Sequence, residues 1–313
     1  MSVVQGGVIA SANIQRELQL GINTVISDYR NYPTEFSQIF DVQNSKKAYE
    51  VDVLRSATTL LQTKDEGAPV QYDSYSEYGN AKYQHVTYAL AGAVTYEAME
   101  DNLYMDEGMK LAKMLGDSEL KTKEIVAATM MDQGYTTSGA GAYTMWDNQA
   151  VFSASHKVGK PGQTQSNMLS TPSALNQTAL ESAIINVTGL YNNAGLLAMI
   201  RPRKLIVPRS DTFIVERICA SFLQSDNANN AINAIKSTGL LPEGYMVAHY
   251  LNNQTNWFLL TDQENGLKFF LRSEFSDKDN DFATADYRHK VMCRFSVGAS
   301  DWRGFYGSGN AGS

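Results

Sequence analysis

Hydrophobic positions along this chain repeat in two periods, and the changes between them mark the elements. Ile14, Leu18, Ile22, Val25 and Ile26 recur at helical spacing, which predicts one apolar stripe over residues 11–29. Residues 48–61 then alternate, with Tyr49, Val51 and Val53 pointing one way, as a strand does. A tyrosine-rich stretch follows, punctuated by Gly67-Ala68-Pro69 and Gly79-Asn80. The chain returns as a strand with Val86, Tyr88 and Leu90 on one face. Residues 55–88 therefore read as a long two-stranded arm. An isolated hairpin is marginal in water. This one carries Tyr72, Tyr75, Tyr78, Tyr83 and Tyr88 in place of aliphatic residues. Tyrosine suits a surface buried against a partner, because its ring packs while its hydroxyl stays hydrated or bonded.

Thr95 is placed to cap a helix over Tyr96–Tyr104, with acidic residues in its first turn. A longer helix is predicted over about 106–133, with Leu111, Leu115, Thr122, Val126 and Met130 along one side. Residues 134–176 are rich in Gly, Ser, Thr, Asn and Gln and read as a loop region whose apolar island is WDNQAVFSASH. Asn176 opens the next helix, and RPRKLIVP is a short buried strand. Ser210 or Asp211 caps a helix beginning TFIVERIC. Strands GYMVAHYL, NWFLLTD and GLKFFLRSE follow, the last two joined by a turn at 262–266. The clearest alternation is at 286–300: Val291, Cys293, Phe295 and Val297 face one way, Lys290, Met292, Arg294 and Ser296 the other. The class is α+β.

Composition narrows the function more than it widens it. The 313 residues are 43% hydrophobic and 19% charged, as in ordinary globular chains. The formal net charge is −7, and the densest basic stretch is Arg201–Lys204, so no basic stripe for gripping phosphates is present. No apolar run approaches the ~20 residues of a membrane helix. The N-terminus has no basic-then-apolar signal pattern, and a cytoplasmic protein is expected. Cys219 and Cys293 read as small buried hydrophobes.

Candidate chemistry is thin, and no catalytic, cofactor-binding or metal-binding residues are assigned. GSGNAG at 307–312 has no helix after it to receive a pyrophosphate. Asp277, Asp279 and Asp281 begin like a calcium loop, but Phe282 and Arg288 stand where that loop needs Gly and Glu. The four histidines His85, His156, His249 and His289 are too dispersed for a metal-binding helix pair. Ser153, Ser155 and His156 lie together without a nucleophile elbow.

Six stretches taken in order resemble one family: YEAMEDNLY (96–104), DNQAVFSASH (147–156) with QSN (165–167), RPRKLIVP (201–208), NNAINAIKSTGLLPEGYMVAHYL, WFLLTDQENGLKFF, and DWRGFYG near the end. From about residue 45 onward the chain resembles the major capsid proteins of tailed bacteriophages, in particular the Mu-like head subunits. The resemblance implies the Hong Kong 97-type capsid fold and no enzymatic activity. Its implied parts are an N-terminal arm at 1–45 and an extended loop, the E-loop, at 55–88. A peripheral domain comprises 46–54 and 89–169, with its spine helix at about 106–133. An axial domain follows at 170–255, then returning peripheral strands at 256–305 and a flexible tail at 306–313.

The resemblance also implies an icosahedral head shell, in a phage or prophage, built from pentamers and hexamers of this chain. Inter-subunit contacts are then expected at Lys64, Tyr72, Tyr75, Tyr78 and Tyr83 on the E-loop, and at Ile14, Leu18 and Ile22 on the arm. The arm begins near residue 1, so a separate scaffold protein is expected, with a portal and a decoration protein as further partners. Double-stranded DNA would be packaged without sequence-specific binding, against an acidic wall on which it slides. The expected location is the virion, with assembly in the host cytoplasm. Two alternatives stand beside this: an encapsulin-like protein compartment, and an oligomeric α+β enzyme with chemistry near His156.

Overall fold

The structure, a computed structural model, describes residues 24–74, 76–95, 97, 104–137, 143–158, 163–223, 232–280 and 286–308. The chain divides into two units: residues 1–34, 86–123 and 271–295 form the first, and 35–85, 124–270 and 296–313 the second. Three long elements run through both: a helix at Tyr104–Asp132 and strands at Leu267–Asn280 and Tyr287–Ala299.

The described elements are α1 (Phe36–Ile39), β1 (Asp41–Asn44), β2 (Tyr49–Arg55), β3 (Glu77–Gln84), β4 (Val86–Val94) and α2 (Tyr104–Asp132). After these come β5 (His156–Lys157), β6 (Thr164–Gln165), α3 (Gln177–Thr188), β7 (Pro202–Pro208), α4 (Thr212–Cys219) and α5 (Ala234–Thr238). Strands β8 (Tyr245–Ala248), β9 (Phe258–Thr261), β10 (Leu267–Asn280), β11 (Tyr287–Ala299) and β12 (Phe305–Gly307) complete the chain. Two four-stranded sheets have the orders β1-β10-β11-β4 and β12-β9-β7-β8, and β2-β3 and β5-β6 are two-stranded.

In the first unit, β4 pairs antiparallel with β11 from Val94 opposite Tyr287 to Val86 opposite Phe295. The helical stretch at 24–30 buries Ile26 against Ala112, Leu115, Tyr287 and Val291, with Val25 alongside. The C-terminal part of the predicted apolar stripe is thus consumed within its own unit. Arg30 sets its guanidinium on the Glu119 carboxylate (Nη2 to Oε2 3.0 Å). Lys123 bridges Glu119 (3.0 Å) and Glu274. Glu119 and Lys123 are buried, so each charge depends on its partners to offset lost hydration. Nearby, burial pushes the Cys293 thiol up to about 11, which suits a packing residue and not a nucleophile.

In the second unit, β7 and β9 lie at the centre of their sheet and are buried along most of their length. This matches the unbroken apolar runs LIVP and FLLT. Asn176 caps α3 as expected, its side chain accepting from Ala179 N at 2.8 Å. Ala179, Leu180, Ala183, Ile184 and Val187 form the buried stripe of that helix. The caps expected at Ser210 or Asp211 do not form: a 3-10 turn at Arg209–Asp211 leads into α4, and neither side chain caps it. Ser210 Oγ instead donates to the Gln254 carbonyl at 2.7 Å. The helix expected over 96–104 lies outside the described residues apart from its ends.

In the described parts of the polar region 134–176, a few buried side chains hold the backbone. Asn167 Oδ1 accepts from Ser153 N (2.8 Å), while its Nδ2 donates to the Val151 carbonyl (2.8 Å) and the Trp302 carbonyl (3.3 Å). His156 stacks on Trp302 with ring centroids 5.2 Å apart, and Asp147 accepts its Nδ1 at 2.9 Å. Arg303 donates from Nε to the Tyr191 carbonyl at 3.0 Å. Phe152 packs on Tyr135, Phe258 and Phe305 beside them. Motifs DNQAVFSASH, QSN and DWRGFYG, far apart in sequence, meet in this one cluster.

Candidate assembly interface

The arm predicted over 55–88 is built in two parts. Its root is the antiparallel pair β2-β3, from Tyr49 opposite Gln84 to Arg55 opposite Glu77. Its distal part, residues 56–74 and 76, has no ladder; β2 ends at Arg55 and not at residue 61. Among the described residues, one backbone bond and a few side-chain brackets hold the two limbs. Ser56 N donates to the Ser76 carbonyl (2.8 Å) and Ser76 N to Ser56 Oγ (2.9 Å). Asp73 Oδ2 accepts from Thr59 N (2.7 Å) and Thr59 Oγ1 (2.9 Å). Those donors, led by the Thr59 backbone N–H, hold the Asp73 carboxyl below its usual range.

The inner face of the root is anchored in its own unit. Lys268 Nζ lies 2.5 Å from Asp52 Oδ2, and Ser300 Oγ donates to the same oxygen at 2.6 Å. Tyr83 meets Phe270 edge-on at 4.8 Å, and its hydroxyl bonds Ser300 Oγ at 2.5 Å. Burial drives the Tyr83 phenol well above its ordinary pKa. The ring lies so close over Gly298 that a Cβ there would sit 2.6 Å from a ring carbon. Beyond the root, His85 bridges Ser45 Oγ (3.1 Å) and Ser296 Oγ (3.0 Å). Tyr78 leans edge-on against Trp146 at 5.1 Å, and burial, ahead of the nearby Asp301 charge, raises its pKa.

The expected contact residues therefore separate. Tyr83 is withdrawn: at 4% exposure it is a core residue, because its face of β3 packs on β10 and β11 residues of its own unit. Tyr78 is half-buried against Trp146. Tyr72 and Lys64 are exposed, Tyr72 at 99%. Leu60, Leu61 and Val70 are exposed beside them, and Leu61 has no side-chain cover at all. These three were not among the expected contacts; the signal for Leu60 and Leu61 was a threonine- and leucine-rich run continuing beyond β2, and Val70 had none. The root adds Tyr49, Val51 and Val53, exposed on the outer face of β2. Tyr75, Ile14, Leu18 and Ile22 lie outside the described residues.

The site alternative at His156 has a different geometry from a catalytic base. The ring is fully buried, Nδ1 faces Asp147 Oδ2, and Nε2 faces the Val151 carbonyl at 3.3 Å. Ser153 Oγ and Ser155 Oγ instead lie 3.4 and 3.3 Å from Gln149 Oε1. Burial pushes Asp147 upward, but His156 and the Gln149 and Lys157 amides outweigh it and leave the carboxyl below its usual range. His249 is exposed and pairs with Glu35, and His289 is buried, where desolvation lowers its pKa. Asp277 forms a cross-strand pair with Lys290 at 3.3 Å. Among the described residues no group of His, Cys, Asp or Glu is arranged to hold a metal ion, and no helix is long and apolar enough to cross a membrane.

A family model described as phage capsid protein matches residues 79–308, most of the chain. The chain belongs to the phage capsid protein family. It is a structural protein of the virion shell, and the mixed α+β fold is that of solved capsid subunits. The capsid of an empty GTA particle aligns with TM-score 0.54 at 11% identity, over 87% of this chain and 88% of that one. The procapsid of bacteriophage JBD30 aligns with TM-score 0.50 at 15% identity, over 96% and 75%. A virus-like particle from Pyrococcus furiosus aligns with TM-score 0.51 at 9% identity, over 92% and 97%. At such identities the likeness is one of fold alone. A search of the curated proteins found no match.

Proposed function

We propose that this capsid protein is the major head subunit of a tailed phage or prophage, with the Hong Kong 97-type fold, and that it assembles with itself into a closed icosahedral shell of pentamers and hexamers. The observation that carries this reading is the distal arm. A chain that needed only to fold would have no use for Leu61 and Tyr72 fully in water, and Leu60 and Val70 largely so, on a loop without a core. Such a loop gains its stabilisation from a neighbour, and a closed shell repeats the contact many times over. In this reading 55–88 is the E-loop, 1–45 the N-terminal arm, α2 the spine helix and 170–255 the axial domain.

Further partners follow from the same reading: a separate scaffold protein, a portal, a decoration protein, and double-stranded DNA held without sequence-specific contacts. The net charge of −7 suits a wall along which DNA moves. Assembly takes place in the host cytoplasm. Electron microscopy of the purified protein, with its mass by light scattering, tests this. Closed polyhedral particles, or rings of five and six, are expected. A monodisperse monomer or dimer, alone and again with its scaffold partner, would refute it. Particles filled with protein cargo in place of DNA would favour the encapsulin-like compartment.

A further inference from the structure

The groups bonded to His156 are acceptors on both sides, and that fixes the protonation of the ring. Its Nδ1 lies 2.9 Å from Asp147 Oδ2, and its Nε2 lies 3.3 Å from the Val151 carbonyl oxygen. A carbonyl accepts and never donates. The Val151 oxygen already accepts from Asn167 Nδ2 at 2.8 Å, which leaves its second lone pair for the ring. Asp147 is occupied in the same way. Its Oδ1 accepts from Gln149 N at 3.1 Å, and its Oδ2 from Lys157 N at 3.2 Å. Against the upward push of burial, His156 and these amides hold that carboxyl below its usual range, so it is ionised and has no proton to give. A neutral imidazole has one N–H. It would set the lone pair of its other nitrogen against an oxygen, at a site closed to solvent.

Charge balance gives the same answer. The His156 ring lies flat on Trp302, with centroids 5.2 Å apart and planes 5° apart. The Arg303 guanidinium lies over the same indole, 4.4 Å from its centroid, and its Nη1 is 3.3 Å from Asp301 Oδ1. Asp147, His156, Asp301 and Arg303 are all buried. The Lys157 side chain is exposed, and β6 brings the uncharged Thr164 and Gln165 opposite β5. With a neutral ring, the buried Asp147 carboxylate has no cation bonded to it among the described residues. With an imidazolium, the four groups make two ion pairs about one indole, whose face attracts both cations.

We propose that His156 is held as an imidazolium in the folded subunit, and that the Asp147–His156 pair is an alkaline-sensitive lock on the cluster joining residues 147–167 to 301–303. This goes beyond the shell reading and does not depend on it. Loss of the Nε2 proton to solvent turns the Val151 contact repulsive and leaves Asp147 a buried charge without a partner. The sign follows from linkage. A histidine that is charged in the fold contributes stability that is fully present below its unfolded value of about 6.5 and is lost as pH rises. The lock therefore closes on the acid side and opens on the alkaline side.

The test labels the histidines of the full-length chain with 15N and reads the ring nitrogens of unassembled subunits by NMR at about pH 7.5, above the ordinary histidine value. The His156 signals are those missing from His156→Gln. Should that chain fail to fold, replacing His85, His249 and His289 singly identifies them by elimination. Two protonated ring nitrogens are expected; one nitrogen without a proton would overturn the assignment. Thermal melts between about pH 6 and 9 then read the lock. Wild type should lose melting temperature more steeply than His156→Gln as pH rises. Buried His289, whose pKa desolvation lowers, acts in the opposite sense and is common to both chains, so the difference reports His156. Equal slopes would overturn the lock.

Discussion

Tyr83 and Tyr72 stand eleven positions apart on the same arm and live in opposite surroundings. Tyr83 sits at the root, its ring on Phe270, its hydroxyl on Ser300 and its backbone in a ladder. Tyr72 sits on the distal loop with its ring in water. The root is over-determined: the Asp52–Lys268 pair, the Tyr83 ring and the His85 bridge all fix the same hairpin. The loop is held by two brackets between its limbs, Ser56 with Ser76 and Thr59 with Asp73. An arm that must reach a neighbour needs a rigid base and an adaptable end, and one short sequence supplies both. Residue type alone does not separate the two; the packing partner does.

The comparison breaks most severely if the fixed half tolerates change. Tyr83→Ala empties a buried aromatic site and should destabilise the subunit by about 3–5 kcal/mol, whereas Tyr83→Phe loses only a hydrogen bond, about 1 kcal/mol. Urea denaturation of unassembled subunits reads both, and equal effects would place the value of Tyr83 in its hydroxyl and not in its ring. Asn167→Ala probes the motif cluster. It leaves the Val151 and Trp302 carbonyls and the Ser153 amide short of partners, and should cost about 2–5 kcal/mol. A loss below about 0.5 kcal/mol would mean that the cluster is not what holds residues 143–158 and 163–169.

A pH titration sharpens the comparison further. The Asp147 carboxyl lies below its unfolded value, so its contribution is present above the unfolded pKa and is lost as pH falls through the folded one. Thermal melts of wild type should therefore weaken between about pH 4 and more acidic values, and those of Asp147→Asn should do so less steeply. Identical slopes would remove Asp147 from the account. The smallest effect on the subunit belongs to the loop: Tyr72→Ala should change stability by no more than about 0.5 kcal/mol. Truncating Tyr72, Tyr75 and Tyr78 together should abolish stable shells. Because Tyr78 also packs on Trp146, the single Tyr72→Ala chain separates loss of contact from loss of fold.

Much of this molecule was legible in its sequence. Period located α2, α3 and most of β11, because 3.6 and 2 residue repeats follow directly from which face meets the core. Unbroken apolar runs marked β7 and β9, and residue type gave the Asn176 cap. The β11 alternation lapses at its end, where Ser296 is buried and Val297 half-buried. The order of six short motifs pointed to the family. Other features were illegible because they depend on residues distant in the chain. Nothing local tells Tyr83 from Tyr72: one has Phe270 and Ser300 across from it, and the other has nothing. His156 and the two serines beside it read as possible chemistry until Trp302, Asp147 and the Val151 carbonyl are seen around the ring. The expected cap at Ser210 or Asp211 did not form: Ser210 lies inside the 3-10 turn that leads into α4, and its hydroxyl donates to the Gln254 carbonyl. The sequence by itself determined most of the elements, the acidic balance of the chain and its kinship. The tertiary structure decided which tyrosines pack within the subunit, because burial belongs to pairs of distant residues and not to any one of them.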